Sequence, residues 1–139
     1  MNNCKLPELI KLKTFSDERG SLSFGEKEAD WDFDIKRIYY LYSIPEGMER
    51  GGHAHKALEQ VLIPISGSFT VVTDDGAGNI QEWEMNKPNQ ALRLHSPIWR
   101  EIKDFSNDGV CLVLASDLYK EDDYIKDYDE FLGYLEVDK

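Results

Sequence analysis

Residues 47–59 carry the sequence GMERGGHAHKALE, in which two histidines stand two positions apart just after a glycine-rich turn. Successive side chains of an extended strand point to opposite faces, so a strand here would direct His53 and His55 into the same space. Imidazole titrates near neutral pH and also binds metal ions. The pair is therefore interpreted either as a proton-transfer device or as two-thirds of a metal site.

Length and charge limit the choice of function. The chain of 139 residues predicts a single domain over residues 1–139 that is long enough to bury a core. The formal net charge of -11 argues against nucleic acid or an anionic membrane as a partner, because a surface that binds either should be basic. A phosphorylated ligand would have to be met by locally placed arginines.

Cysteine usage predicts a reducing compartment. Cys4 and Cys111 stand near opposite ends of the chain, without Cys-x-x-Cys spacing, and Cys111 lies in the apolar run 110–115. A disulfide is not expected, and Cys111 is interpreted as a buried free thiol. We see neither a signal peptide nor an apolar run of the roughly 18 residues that a membrane span needs. The prediction is a cytoplasmic protein.

Short apolar or alternating segments separated by turn residues recur along most of the chain. The clearest segments are 35–42, 58–65, 68–73, 80–85, 90–95, 98–105 and 110–115. Asp74-Asp75-Gly76-Ala77-Gly78-Asn79 has the composition of a hairpin loop. About nine strands at this spacing predict an all-β sandwich or barrel.

The period of the apolar residues changes at the C-terminus. Apolar side chains recur there at steps of three and four, at Tyr124, Ile125, Tyr128, Phe131, Leu132 and Leu135. This spacing predicts an amphipathic α-helix over about 121–136, and acidic residues at 121–123 suit its N-terminus. The helix is expected to pack against the barrel.

The two histidines belong to a larger pattern, Gly47-x5-His53-x-His55-x3-Glu59 followed by Gly67. The pattern resembles the first signature of the cupins, which implies an all-β jelly-roll barrel, here with a C-terminal α-helix. Metal-binding cupins add a third histidine in a second motif, and the matching position near residues 97–100 holds Arg100. A guanidinium has no lone pair for a cation, and His95 is out of register, so we expect no metal.

A more specific resemblance covers residues 14 to 131 or thereabouts. It is carried in order by KRIYY at 36–40, RGGHAHK at 50–56, LEQVL at 58–62, LASDLY at 114–119 and DYI at 123–125. In these blocks the chain is similar to the sugar-nucleotide 3,4-ketoisomerases, which are metal-free cupins that act on dTDP-4-keto-6-deoxyglucose. The resemblance implies an isomerase without a cofactor, and a homodimer that shares strands across its interface.

The chemistry implied is the movement of a ketone from C4 to C3 of the sugar through an enediolate. His53 is then expected to be the base at C3, His55 the proton donor or shuttle at C4, and Tyr39 a hydroxyl donor near the reacting oxygens. Candidates for substrate binding, with the arginines on the diphosphate, are Arg19, Arg37, Arg50, Lys56, Gln60, Trp99 and Arg100. The resemblance brings two of these, Arg19 and Arg100, toward the sugar.

Several alternatives stay open at the level of sequence. Trp99 is interpreted as stacking on a ring or, slightly preferred, as packing. Arg100 cannot donate a proton as a histidine would, which leaves the configuration at C4, gluco or galacto, undecided. A 3,5-epimerase, a non-catalytic cupin that binds sugar nucleotides and a metal-dependent cupin oxygenase remain rival functions.

Overall fold

The structure is a computed structural model that describes residues 5–137, so Cys4 lies outside the described residues. Twelve strands are present among them: β1 Glu8–Lys11, β2 Lys13–Asp17, β3 Gly20–Phe24, β4 Arg37–Leu41, β5 Arg50–His55, β6 Gln60–Ser66, β7 Phe69–Asp74, β8 Ile80–Met85, β9 Gln90–Leu94, β10 Trp99–Lys103, β11 Val110–Ala115 and β12 Tyr124–Ile125. A 3-10 turn, Glu121–Asp123, precedes β12, and one α-helix, α1, spans Tyr128–Val137.

The strands form two five-stranded sheets and a separate hairpin. The first sheet has the order β1-β9-β6-β11-β4, and the second has the order β12-β5-β10-β7-β8. All the pairings are antiparallel, and β2 pairs with β3 alone among the described strands. The fold is therefore an all-β jelly-roll barrel with a C-terminal helix, as predicted. The strand count exceeds the expected nine because several strands, such as β1 and β12, are too short to show a period.

The buried apolar side chains form separate layers, because successive residues of a strand point to opposite faces of its sheet. The interior between the sheets holds Leu62, Phe69, Val71, Met85, Leu92, Leu94, Ile98, Ile102, Phe105, Cys111 and Val113. Cys111 is a buried free thiol, and its burial raises the pKa of that thiol. On the outer face of the first sheet, Val61 and Ile63 are covered by Leu12 and Trp31. Strand β6, for example, buries apolar residues on both of its faces.

The C-terminal helix begins later than predicted. The sequence pattern placed its start at about 121, but residues 121–123 form a 3-10 turn, and Tyr124 and Ile125 pair as a strand with His55 and Ala54. The apolar spacing continues through this strand because Ile125 packs with Phe131 and Leu135 of the helix in one cluster. Pairing of these two residues with β5 therefore prevents the helix from starting here, and the predicted start at about residue 121 was wrong.

Candidate active site

Two glycines, Gly51 and Gly52, set the backbone conformation that directs His53 into the barrel. Gly51 and Gly52 have φ values of 92° and 63°, a region that favours glycine, and the β5–β10 register shifts at this point so that Gly52 is the extra residue of a bulge. A Cβ on Gly51 would lie 3.1 Å from the carbonyl oxygen of Arg100. The close approach of the two strands and the direction of His53 both depend on these glycines.

The two imidazoles meet inside the barrel. Nε2 of His53 lies 3.1 Å from Nε2 of His55, and the rings are nearly perpendicular, with an interplanar angle of 88°. Ala54 points to the opposite face, where it is fully buried beneath the helix. The tilted ring of Tyr124 lies 4.4 Å from that of His55, between centroids, and limits its access to water. The shared direction of the pair agrees with the strand alternation.

Arg100 stands directly opposite His53 in the register of β5 and β10. Its side chain is almost completely buried, at 2% exposure, and Nη1 donates to Oε1 of Gln60. Within residues 5–137, Nε and Nη2 of this guanidinium find no hydrogen-bond partner. A buried cation with two free donors is poised to bind an anionic or strongly polarised oxygen.

Gln60 connects this arginine to a tyrosine. Its Oε1 accepts from Arg100, while its Nε2 donates to the hydroxyl of Tyr39 over 2.7 Å. Because the Tyr39 oxygen accepts this bond, its own proton stays free for another acceptor. Burial raises the pKa of Tyr39, so the hydroxyl remains protonated at neutral pH. Gln60 is fully buried, so its polar atoms serve Tyr39 and Arg100.

Both histidines are kept neutral at pH 7. Burial is the main cause, and the Arg100 cation adds to it, so the pKa of His53 falls from 6.5 to about 4. A hydrogen bond to the Gly51 backbone opposes this shift by favouring the charged ring. Burial, followed by the charge of Arg100, lowers the pKa of His55 further. A neutral imidazole has the free lone pair that a base requires.

An aspartate that the sequence analysis did not select as a site residue completes the row of polar groups. Oδ2 of Asp123 lies 3.0 Å from Nδ1 of His55, and its Oδ1 accepts from the backbone N–H of Ala57 over 2.9 Å. The DYI block contains this residue, but 68 positions separate it from His55. Only the pairing of β12 with β5 brings the two side chains together.

Two adjoining cavities open at this end of the barrel. The larger has a volume of about 540 Å³ and is lined by His53, Tyr39 and Arg100 together with Arg37 and Arg50. The smaller, of about 370 Å³, is lined by Arg37, His55, Lys56, Asp123 and Tyr124, among others. Arg37 faces both cavities, and its guanidinium carbon lies 5.4 Å from the centre of the Tyr39 ring. Catalytic and cationic candidates therefore share one region.

Two of the substrate-binding candidates lie elsewhere. Arg19 is in the turn between β2 and β3, is 84% exposed, pairs with Asp17 and lines neither cavity. Trp99 makes an edge contact with Tyr128 and packs against Phe131, both in the helix. Its position agrees with the packing role that the sequence slightly favoured.

The third histidine forms a separate cluster with carboxylates. Nδ1 of His95 lies 3.0 Å from Oε1 of Glu59, and the same oxygen lies 2.8 Å from Nη2 of buried Arg93. Oε2 of Glu59 accepts from the backbone N–H of Ser96. The glutamate of the cupin-like signature thus joins β6 to β9 and to the segment that follows β9.

Within residues 5–137, no group of three or more His, Cys, Asp or Glu side chains is arranged to hold a metal ion. Over the same residues, no helix is both long and apolar enough to cross a membrane.

A jelly-roll barrel with paired histidines and a buried arginine in its mouth defines a cupin. The chain belongs to the family described as "WxcM-like, C-terminal", whose model matches residues 3–136. It is 44% identical over 128 residues to the TDP-4-oxo-6-deoxy-α-D-glucose-3,4-oxoisomerase of Aneurinibacillus thermoaerophilus, covering 92% of this chain and 91% of that relative.

Solved structures show the same relationship. A 3,4-ketoisomerase from Helicobacter canadensis superposes with a TM-score of 0.89 at 44% identity, over 94% of this chain and 97% of that chain. A 3,4-ketoisomerase from Thermoanaerobacterium thermosaccharolyticum, solved as a histidine-to-asparagine mutant in complex with TDP-4-keto-6-deoxyglucose, has a TM-score of 0.89 at 38% identity, over 94% of each chain.

Proposed function

We propose that this protein is a sugar-nucleotide isomerase that converts dTDP-4-keto-6-deoxyglucose into a dTDP-3-keto-6-deoxyhexose. The observation that carries the proposal is the contact between half-buried His53 and buried His55, both with a lowered pKa, beside Arg100 and the hydroxyl of Tyr39. The names of the relatives agree with this activity. The proposal keeps the two expectations from the sequence that the reaction takes place in the cytoplasm and that it requires no cofactor.

The reaction begins with the proton on C3, which is acidic because it is α to the C4 carbonyl. His53 takes this proton, the electrons of the C–H bond form a C3–C4 double bond, and the C4 oxygen becomes an oxyanion. Tyr39 and Arg100 line the cavity with free N–H and O–H donors, which stabilise that charge. The C3 hydroxyl then passes its proton to the C4 oxyanion, which becomes the product hydroxyl. The C3 oxygen becomes the new ketone as the electrons of the C3–C4 double bond take up a proton at C4 through the His53–His55 pair.

Substrate binding follows the distribution of cations. Arg37 and Arg50 line the larger cavity and Lys56 lines the smaller one, in a chain whose net charge is -11. These three side chains are assigned to the diphosphate, since guanidinium and ammonium groups donate to phosphate oxygens. Gln60 is assigned an indirect role, because its hydrogen bonds hold the side chains of Tyr39 and Arg100 in place.

The proposal includes a homodimer. The β2–β3 hairpin exposes Phe15 and Leu22, and the edge strand β4 exposes Ile38 and Tyr40. A second copy would cover these apolar faces. Arg19 lines neither cavity of its own chain, so its predicted approach to the sugar depends on the hairpin meeting a partner. Light scattering of the purified protein, with Phe15→Asp as the disrupting variant, tests this arrangement.

Incubation with dTDP-4-keto-6-deoxyglucose in D2O, followed by NMR, tests the activity. We expect a product with its ketone at C3 and deuterium at C4, formed at a rate insensitive to a chelator. In a parallel incubation in H2O, the coupling between H4 and H5 reports the configuration at C4. Exchange at C5 as well as C3 would instead indicate a 3,5-epimerase. Binding of dTDP without any exchange would indicate a non-catalytic cupin, and loss of turnover with the chelator would indicate a metal-dependent enzyme.

A further inference from the structure

His55 is poorly placed to meet the sugar directly. Its side chain is only 1% exposed, and it is absent from the lining of the larger cavity that holds His53, Tyr39 and Arg100. Its ring nitrogens contact Nε2 of His53 on one side and the carboxylate of Asp123 on the other. Of the two cavities, His55 lines only the smaller one, so a proton taken up in the larger cavity reaches His55 by way of His53.

The carboxylate decides which nitrogen of His55 carries the proton. An ionised carboxylate only accepts hydrogen bonds, so the 3.0 Å contact with Oδ2 of Asp123 requires N–H at Nδ1 of His55. A neutral imidazole has one N–H, so Nε2 of His55 is left with a lone pair. That lone pair lies 3.1 Å from Nε2 of His53, in position to accept a proton.

The backbone holds Asp123 firmly in this position. The N–H of Lys56 donates to its carbonyl oxygen over 2.9 Å, and the N–H of Ala57 donates to Oδ1 of its side chain over 2.9 Å. Directly after it, Tyr124 and Ile125 pair with β5. The same strand thus carries both histidines and anchors the carboxylate that faces one of them, which keeps the three groups in a fixed relation.

We propose that Asp123 is a positioning residue that fixes the Nδ1–H tautomer of His55, so that His55 accepts through Nε2 the proton that His53 has taken from C3. The inference rests on the function proposed above. The proton moves across the 3.1 Å contact between the two Nε2 atoms, in which protonated His53 is the donor, and the carboxylate of Asp123 faces the ring that becomes charged. Return of a proton to C4 follows the same path in reverse, after the N–H groups of the pair have exchanged with solvent, so no net acid or base is consumed.

The decisive variant is Asp123→Asn. Its amide oxygen can still accept from the N–H of Ala57, but its NH₂ group donates to Nδ1 of His55 and so forces the opposite tautomer. We expect kcat to fall about 10²–10³-fold while KM stays within about threefold. Asp129→Asn is the matched control, because it removes the same charge from an exposed residue in the first turn of the helix that lines neither cavity; its kcat should stay within about twofold.

Nitrogen-15 NMR of the histidine rings reads the tautomer independently of activity. In the wild-type protein we expect a protonated Nδ1 and an unprotonated Nε2 on His55, and in Asp123→Asn the reverse. A wild-type His55 protonated at Nε2 would overturn the inference even if the variant fails to fold. So would an active wild-type enzyme whose Asp123→Asn variant retains kcat within about threefold. A folded wild-type protein without turnover would instead overturn the proposed function and the relay with it.

Discussion

Two clusters in this protein combine histidine with carboxylate, and they differ in which charges surround them. At the mouth of the barrel, His53 and His55 face the cation of Arg100, and a single carboxylate, that of Asp123, contacts the pair. In the other cluster, His95 lies between Glu59 and Glu8. The surroundings of the first cluster lower the pKa of its imidazoles, whereas the second cluster supplies two carboxylates as hydrogen-bond acceptors.

The clusters also differ in what they leave unpaired. Arg93, in the His95 cluster, contacts both Asp32 and Glu59, so its guanidinium is neutralised. Arg100 has one acceptor from Gln60 and two donors that remain free within residues 5–137. Residue types alone therefore do not separate a structural network from a reactive one. Unsatisfied buried donors and neutral imidazoles mark the reactive one.

The largest contrast should come from exchanging the histidines for asparagine. His53→Asn removes the proposed base, and we expect kcat to fall roughly 10³–10⁴-fold. His95→Asn should leave kcat within about threefold, because His95 lines neither cavity. Steady-state kinetics with dTDP-4-keto-6-deoxyglucose and a dTDP-binding titration separate catalysis from binding. Retention of most activity by His53→Asn would remove His53 from the base role.

A smaller loss is expected at the tyrosine. Tyr39→Phe deletes the hydroxyl that Gln60 orients, and kcat should drop about 10²-fold, as for one oxyanion donor. Tyr40→Phe is the matched control, since Tyr40 is the next residue of β4 and points to the exposed face. Equal losses in the two variants would show that the effect is on the strand and not on the reacting oxygens.

The pH profile tests the electrostatic side of the comparison. An imidazole acts as a base only when it is neutral. We therefore expect kcat/KM to stay constant above the pKa of His53 and to be lost as the pH falls through about 4, well below the ordinary histidine pKa of 6.5. Arg100→Met removes a cation that lowers this pKa, so the acid limb should move towards higher pH.

Because the two imidazoles are in contact, the apparent pKa of the acid limb is a property of the coupled pair and is not assigned to either ring alone. Circular dichroism over the same pH range controls for unfolding. An acid limb at 6.5 in the wild-type protein, unmoved in Arg100→Met, would contradict the electrostatic account.

The smallest effect on catalysis is expected in the second cluster. Glu59→Gln weakens the contacts to Arg93 and His95, and the free energy of unfolding should fall by about 1–3 kcal/mol. Turnover per folded molecule should change less than about twofold, because Glu59 lines neither cavity. Urea denaturation and kinetics on the same preparation measure both. A large fall in kcat with an unchanged free energy of unfolding would show that the His95 cluster also takes part in catalysis.

Much of the fold followed from local patterns. Strand β8 was predicted with its observed bounds, and β11 likewise, because both alternate or run apolar between clear turn residues. The C-terminal helix was predicted seven residues early, at 121 instead of 128, because the apolar period does not distinguish a helix from a short strand that packs against it. Strand β12 exists only because β5 offers an edge to pair with.

The sequence by itself determined the shared direction of His53 and His55, since strand alternation requires it. Tertiary structure alone decided that Asp123 faces His55, that Gln60 joins Tyr39 to Arg100, and that Arg19 lies outside both cavities. The reason is physical. Alternation acts between neighbours in the chain, whereas these contacts join residues 21 to 68 positions apart and depend on strand register.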